Sequence, residues 1–323
     1  MENNKKCLIS FVVPFFNEDK CVEALYVRIR KTCEALKMDF ELICIDDCGS
    51  DATLRILRRL RKEDPRVKFV SFSRNFGHQV AIMAGLHRAS GDCVVVMDGD
   101  LQDPPEIVVE MVNKWRQGFD VVYGIRTSRK EGVFKGICYK LFYRILHKIS
   151  LLHIPLDVGD FGLMSRRVVL EIRKLNEENP FVRGIRAWVG FKQTGIEYCR
   201  VQRADGASKY TIRKLFRLAF DGLLSFSTLP LEAATLIGLA VSLLSITYGM
   251  YIGVKRILLA LNIIGPENVI PGWATLVCSV MFLIGLQFIF LGILGKYIGR
   301  IFIQVKNRPP YVVQEESGFE DDT

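Results

Sequence analysis

The chain has 323 residues, of which 50% are hydrophobic and 24% charged, with a net charge of +9 and a mean hydropathy of +0.20. That hydropathy is high for a soluble protein of this charge content, so the apolar residues must be concentrated in one region. The positive charge does not mark a nucleic-acid binder: no nucleic-acid module signature is present, and the basic residues crowd beside the apolar segments. The nine cysteines (Cys7, Cys21, Cys33, Cys44, Cys48, Cys93, Cys138, Cys199 and Cys278) form no Cys-x-x-Cys pair and sit mostly among apolar neighbours, as reduced cytosolic core residues do.

From the N-terminus, Met1 to Lys6 is polar and the apolar run Cys7 to Phe16 is short, so no signal peptide is expected. Leu8–Val13, Leu42–Asp46, Val67–Ser71, Cys93–Met97 and Asp120–Tyr123 read as strands. The helical periods Val22–Leu36 and Leu54–Leu60 lie between them. Such alternation predicts a doubly wound parallel sheet, in which ligands bind beyond the carboxyl ends of the strands. Pro14-Phe15-Phe16-Asn17-Glu18, Asp46-Asp47 and Asp98-Gly99-Asp100 all fall at those ends. The last of these, inside Val94 to Glu106, delivers two carboxylates one residue apart from a buried strand. Oxygen donors of that kind suit Mg²⁺ or Mn²⁺, which take the rest of their shell from water and substrate phosphates.

Residues 126–203 are mixed and charged, with a turn expected at Leu156-Asp157-Val158-Gly159-Asp160-Phe161. Ser208–Ser227 alternates bases with apolar residues and reads as an amphipathic helix lying on a bilayer surface. Ala233–Val254 holds no charged residue, and none occurs between Glu267 and Lys296. Each run exceeds the roughly 20 residues that cross a hydrocarbon core. Lys209, Arg213, Lys214 and Arg217 precede the pair, and Lys296, Arg300, Lys306 and Arg308 follow it. The positive-inside rule therefore places the N-terminal region and both termini in the cytoplasm, with the loop around Gly265-Pro266-Glu267 on the far side. The acidic tail Glu315–Thr323 is expected to be disordered. The four histidines show no metal-ligand spacing, and no Gly-x-Gly-x-x-Gly follows the first strand.

Val13 to Glu18, Asp46-Asp47-Cys48-Gly49-Ser50-Asp51, Ser73-Arg74-Asn75-Phe76-Gly77 and Asp98 to Glu106 resemble the ordered motif series of family 2 glycosyltransferases with the GT-A nucleotide-sugar fold. Gly206-Ala207-Ser208-Lys209-Tyr210 and Gly295-Lys296-Tyr297-Ile298-Gly299-Arg300 resemble the branch that glycosylates polyprenyl phosphates, such as bactoprenol glucosyltransferases and dolichyl-phosphate mannose synthases. The resemblance implies an α/β GT-A (Rossmann-like) catalytic domain over 1–207, an interfacial helix over 208–228, two transmembrane helices within 229–296 (about 233–254 and 272–295) and a cytoplasmic segment over 297–323. Two departures stand out. Gly49 occupies the place of the usual serine, and Gly162 in Asp160-Phe161-Gly162-Leu163 the place of the usual arginine, which removes a cation near the expected phosphates.

The activity so implied is inverting transfer of a hexose from a nucleotide diphosphate to a lipid phosphate. UDP-glucose and undecaprenyl phosphate are the expected pair, at the plasma membrane. The competing readings are a processive polysaccharide synthase, whose Gln-x-x-Arg-Trp motif is missing from the sequence, and a sugar-nucleotide-binding membrane protein without activity. In the leading reading Asp98 and Asp100 hold the metal, Gln102 orients the sugar or diphosphate, Asp46 accepts hydrogen bonds from the base or ribose, and Pro14 and Glu18 wall the nucleotide pocket. Asp47 either joins them or begins the loop. The acceptor phosphate falls to Arg126, Arg129, Lys140, Arg203, Ser208 and Lys209, since arginine forks grip phosphate oxygens. A phosphate monoester is mostly ionised at neutral pH and needs little help from a base. Asp157 and Asp160 either orient the acceptor or take a residual proton, or else only shape a turn. The apolar helices, with Gly238, Gly249, Gly253, Gly285, Gly292 and Gly295, offer a surface for homo-oligomer packing.

Overall fold

A computed structural model of the chain describes residues 7–126, 158–175, 177, 180–200, 229–263, 265 and 272–319. Leu8–Phe15 (β1), Asp39–Asp46 (β2), Val67–Phe72 (β3) and Cys93–Val96 (β4) pair in parallel, in the spatial order β4-β1-β2-β3. Their near-continuous apolar sequence follows from burial on both faces. The period of two sorts β1: Ile9, Phe11, Val13 and Phe15 join one core with α1 (Asp19–Leu36), α2 (Thr53–Glu63) and α4 (Val108–Arg116). Val12 faces the other core, with α3 (His78–Arg88), α5 (Arg166–Arg173) and α6 (Val182–Trp188). Val22, Leu25, Ile29 and Cys33 give α1 its buried stripe, and Lys37, in the left-handed region at φ 53°, ends it.

The sheet departs from the expected parallel arrangement. Val121–Arg126 (β5) does not lie beside β4; Val158–Ser165 (β6) enters between them, antiparallel to both, and Gln193–Tyr198 (β7) extends the sheet parallel to β5. From Val158 on, the expected turn is therefore a strand with all of its residues buried. Its glycines and Asp160 resemble turn chemistry, but each fills a packing need described below.

The acidic tail is also ordered where described. Val313–Ser317 (β8) pairs antiparallel with the edge of β3, making an eight-stranded sheet of order β7-β5-β6-β4-β1-β2-β3-β8. Its acids have fixed partners: Arg58 binds Glu315 through two nitrogens, and Arg88 lies 2.7 Å from Glu316. Phe319 meets the cations of Lys68 and Arg88 at 5.7 and 5.2 Å, and Tyr311 stacks on Phe72 at 4.9 Å between centroids. Pairing satisfies the backbone of an edge strand that would otherwise be open. Truncation before Tyr311 is expected to lower stability by about 2 kcal/mol, about 4–8 °C in melting temperature. Thermal melts of the full and truncated chains check this.

In the second compact unit, Leu229–Ala260 (α7) and Trp273–Val305 (α8) contain the apolar stretches Ala234–Ala260 and Ser279–Val305, each 27 residues long with mean hydropathies of 1.7 and 1.9. At about 1.5 Å per residue either is long enough to cross a hydrocarbon core of about 30 Å. Continuous helix through Lys296 carries α8 past the expected end at 295. From Arg308 on, the chain belongs with the sheet unit. The expected interfacial helix over 208–228 lies outside the described residues.

Candidate active site

The carboxyl ends of β1, β2 and β4 carry the polar residues expected there. Asp46, 1% exposed at the end of β2, accepts hydrogen bonds from Ser71 Oγ (2.8 Å) and the Gly49 amide (3.2 Å). Burial raises its pKa against the pull of those donors. The backbone of Gly49 thus supplies a bond to Asp46. Asp47 is an anchor: its carboxylate accepts the amides of Phe76 (2.7 Å) and Gly77 (2.9 Å) and so ties down the loop that leads into α3. Asn17, at φ 58°, accepts the Ser50 amide at 2.7 Å and links the β1 and β2 loops. Glu18 opens α1, its own amide donating to Thr53 Oγ1 at 3.2 Å.

At the end of β4, glycine is required between the two acids. A Cβ on Gly99 would lie 2.6 Å from the Phe15 ring and 3.0 Å from the Pro14 carbonyl, so only glycine lets the turn rest on β1. Leu101, at φ 61°, reverses the chain, and Asp100 Oδ1 accepts the Gln102 amide at 3.1 Å. The turn also presents Asp103, 1% exposed, which accepts a 2.6 Å bond from Tyr198 Oη; Arg126 Nε donates to the same oxygen of Tyr198 at 3.3 Å. Burial, with the nearby charge of Asp103 adding to it, pushes the Asp98 carboxyl up to about 6.

Two basic side chains missed by the sequence reading, Arg200 and His78, face these acids. Arg200 Nη2 lies 3.1 Å from Asp98 Oδ2 and 3.9 Å from Asp100 Oδ2, while its Nε lies 3.4 Å from Asp103 Oδ1. His78 Nε2 lies 3.4 Å from the other Asp98 oxygen and 3.6 Å from Asp160 Oδ2. Motif context gave a signal for His78, which directly follows Asn75-Phe76-Gly77; Arg200 had none, because its partners are about a hundred residues away in the chain.

Asp160 is held on every side. Arg183 on α6 donates to its two oxygens at 2.9 and 3.0 Å, and Gln79 Nε2 donates at 2.9 Å. Burial alone would raise its pKa, but the His78 contact and the Arg183 charge outweigh it and hold the carboxyl well below the ordinary 3.8. These partners favour the ionised carboxylate. Its stabilising contribution is complete above about pH 4 and is lost only as pH falls toward the depressed value. Asp160→Asn is expected to cost about 2 kcal/mol, because it removes the charged partner of the half-buried Arg183 guanidinium. Denaturant melts at pH 7 check this, and the pH–activity profile of any residual transfer should not shift.

Gly162 lies inside the sheet, paired with Val96 and Tyr123. A Cβ there would lie 2.9 Å from the Val122 carbonyl and 3.1 Å from a guanidinium nitrogen of Arg186. Arg186, on α6 and 3% exposed, donates to the Gly159 carbonyl at 3.3 Å, sits over the Tyr123 ring, and has its pKa pushed by burial down to about 10. A guanidinium from another element thus stands beside Gly162, where the family resemblance expects an arginine side chain to begin. Arg129, Lys140, Asp157, Arg203, Ser208 and Lys209 lie outside the described residues.

Among the described residues no group of three or more His, Cys, Asp or Glu side chains is arranged to hold a metal ion. The donor set nevertheless fits a hard divalent cation: Asp98 and Asp100 offer carboxylate oxygens, and the buried Asp103 Oδ2 beside them has no hydrogen-bond partner. Such ions commonly take only one or two carboxylates from the protein, with water and phosphate completing the shell.

A Rossmann-like mixed sheet with an Asp-Gly-Asp turn at the carboxyl end of β4 defines a GT-A glycosyltransferase. Residues 10–173 match Glycosyl transferase family 2, and the chain belongs to that family. It is 43% identical over 313 residues to the "Uncharacterized glycosyltransferase YkcC" of Bacillus subtilis (strain 168), covering 97% of this chain and 95% of that one. It is 42% identical over 308 residues to the "SfII prophage-derived bactoprenol glucosyl transferase" of Shigella flexneri, covering 95% and 97%. A solved glucosyl-3-phosphoglycerate synthase from Mycobacterium tuberculosis, in complex with Mn²⁺, UDP and glucosyl-3-phosphoglycerate, is similar with a TM-score of 0.47 at 20% identity, covering 68% of this chain and 79% of that one.

Proposed function

We propose that the protein transfers a hexose, glucose from UDP-glucose, to undecaprenyl or another polyprenyl phosphate at the cytoplasmic face of the plasma membrane, with inversion at the anomeric carbon. The observation that carries this reading is the placement of Asp46, Asp98 and Asp100 at the carboxyl ends of β2 and β4, the two parallel strands that flank β1, in a chain that also has two apolar helices of membrane-crossing length. The bactoprenol glucosyl transferases, 42% identical over nearly the whole chain, support the acceptor class.

In this reading Asp46, with Pro14 and Glu18 beside it, receives the nucleoside, and Asp47 keeps the Phe76–Gly77 loop against it. Asp98 and Asp100 would hold Mg²⁺ or Mn²⁺, which when bound neutralises charge on the departing nucleotide diphosphate. Gln102, tied to Asp100 through its backbone, orients the sugar. Arg126 lies beside the acids and is an acceptor-phosphate ligand, with Arg129, Lys140, Arg203, Ser208 and Lys209 as further candidates. The acceptor phosphate is itself the nucleophile and is mostly ionised at neutral pH, so little help from a general base is required. The test is to incubate purified protein with Mn²⁺, undecaprenyl phosphate and a panel of labelled sugar nucleotides, then analyse the lipid by mass spectrometry. A hexosyl monophosphate lipid with inverted anomeric configuration is expected. A water-soluble polymer, or nucleotide binding without turnover of any donor, would overturn the reading.

A further inference from the structure

Both oxygens of Asp98 face basic side chains: His78 stands at Oδ1 and the Arg200 guanidinium at Oδ2. Arg200 also reaches Asp100 and Asp103, so one guanidinium spans three acids. Its geometry is that of a substitute counter-ion. The Nε of Arg200 and the Oδ2 of Asp103 are buried without a hydrogen-bond partner, so the pairing neutralises charge but leaves donor and acceptor capacity unused. A cation that must approach Asp98 and Asp100 meets a site already closed by the chain's own positive charge.

We infer that Arg200 is an exchange residue. It holds the acidic cluster together in the free enzyme, yields its place to the divalent ion that arrives with the nucleotide, and then turns its released fork to the phosphate oxygens of the same complex. This rests on the reading of Asp98 and Asp100 as metal carboxylates. The consequence is ordered binding: the free protein takes up the ion poorly, and the nucleotide makes uptake favourable because its phosphates give Arg200 a new partner. A guanidinium suits this exchange, since it is always charged and its fork matches carboxylate and phosphate alike.

The experiment measures Mn²⁺ binding to the full chain in detergent, from loss of the free-ion EPR signal, with and without UDP. Arg200→Ala is expected to bind Mn²⁺ about tenfold tighter than wild type without UDP, and to lose about tenfold of the enhancement that UDP gives. Arg200→Lys keeps the charge and should bind the bare ion as weakly as wild type. If Arg200→Ala melts without cooperativity, Arg200→Gln is measured in its place with the same expectation. An alanine or glutamine variant whose Mn²⁺ affinity without UDP is unchanged or weaker overturns the exchange role. Asp100→Ala separates the two ideas. If it abolishes Mn²⁺ binding while the Arg200 variants are flat, the metal reading stands and the exchange falls; if wild type binds no Mn²⁺ even with UDP, both fall.

Discussion

Asp100→Ala is expected to lower hexose transfer by about 100- to 1,000-fold or more, the cost of removing one preorganised charge from a site that stabilises a leaving group. The carboxylate has two tasks that can be separated. It supplies negative oxygen to the cluster, and its Oδ1 accepts the Gln102 amide at 3.1 Å, which shapes the turn. Asp100→Asn keeps an acceptor for that amide and removes the charge. If the charge matters most, both variants lose transfer together and melt close to wild type, since the cluster is crowded with acids and losing one relieves repulsion. If turn geometry matters most, the asparagine variant keeps activity within about threefold and only alanine fails, an outcome that would remove Asp100 from the metal assignment. Rates from organic-phase label at saturating donor, with melts of each variant, decide between them.

The parts of this site that were legible in the sequence share one property: their signal is local. Asp98-Gly99-Asp100 follows an apolar run and falls at a strand end because β4 is short and buried, and Asp46 follows β2 in the same way. The apolar helices were legible from length alone. What escaped was produced by chain-distant pairing. The β6 segment reads as a turn because glycines interrupt it, yet those positions face the Arg126 and Arg186 guanidiniums, and nothing near residue 160 announces them. The β8 tail reads as disordered because it is acidic, but Arg58 and Arg88 answer its charge from α2 and α3. Asp160 reads as part of a turn, but insertion of β6 beside β4 places it on a buried strand against α3 and α6. In each case a residue type was read correctly for its chemistry and wrongly for its surroundings.

Gly162→Arg is expected to destabilise the sheet unit by about 3–5 kcal/mol, although the family resemblance makes arginine the ordinary residue there. Two conflicts contribute. The new Cβ would meet the Val122 carbonyl at 2.9 Å, which forces the β5–β6 pairing to shift, and the new guanidinium would share a buried space with that of Arg186. Their separate sizes follow from a cycle. Gly162→Ala introduces only the backbone conflict and should cost about 1–3 kcal/mol. Adding Arg186→Ala to Gly162→Arg removes the rival guanidinium and should recover a large part of the loss, but not the part that alanine alone produces. Urea melts of wild type, Gly162→Arg, Arg186→Ala and the double variant, read at matched m-values, give the coupling directly, with Gly162→Ala measured beside them. A positive coupling would mean that Arg186 fills the place of the arginine missing from residue 162. Strict additivity would mean that the two positions are independent, and that the tightness at residue 162 comes from the strand backbone alone.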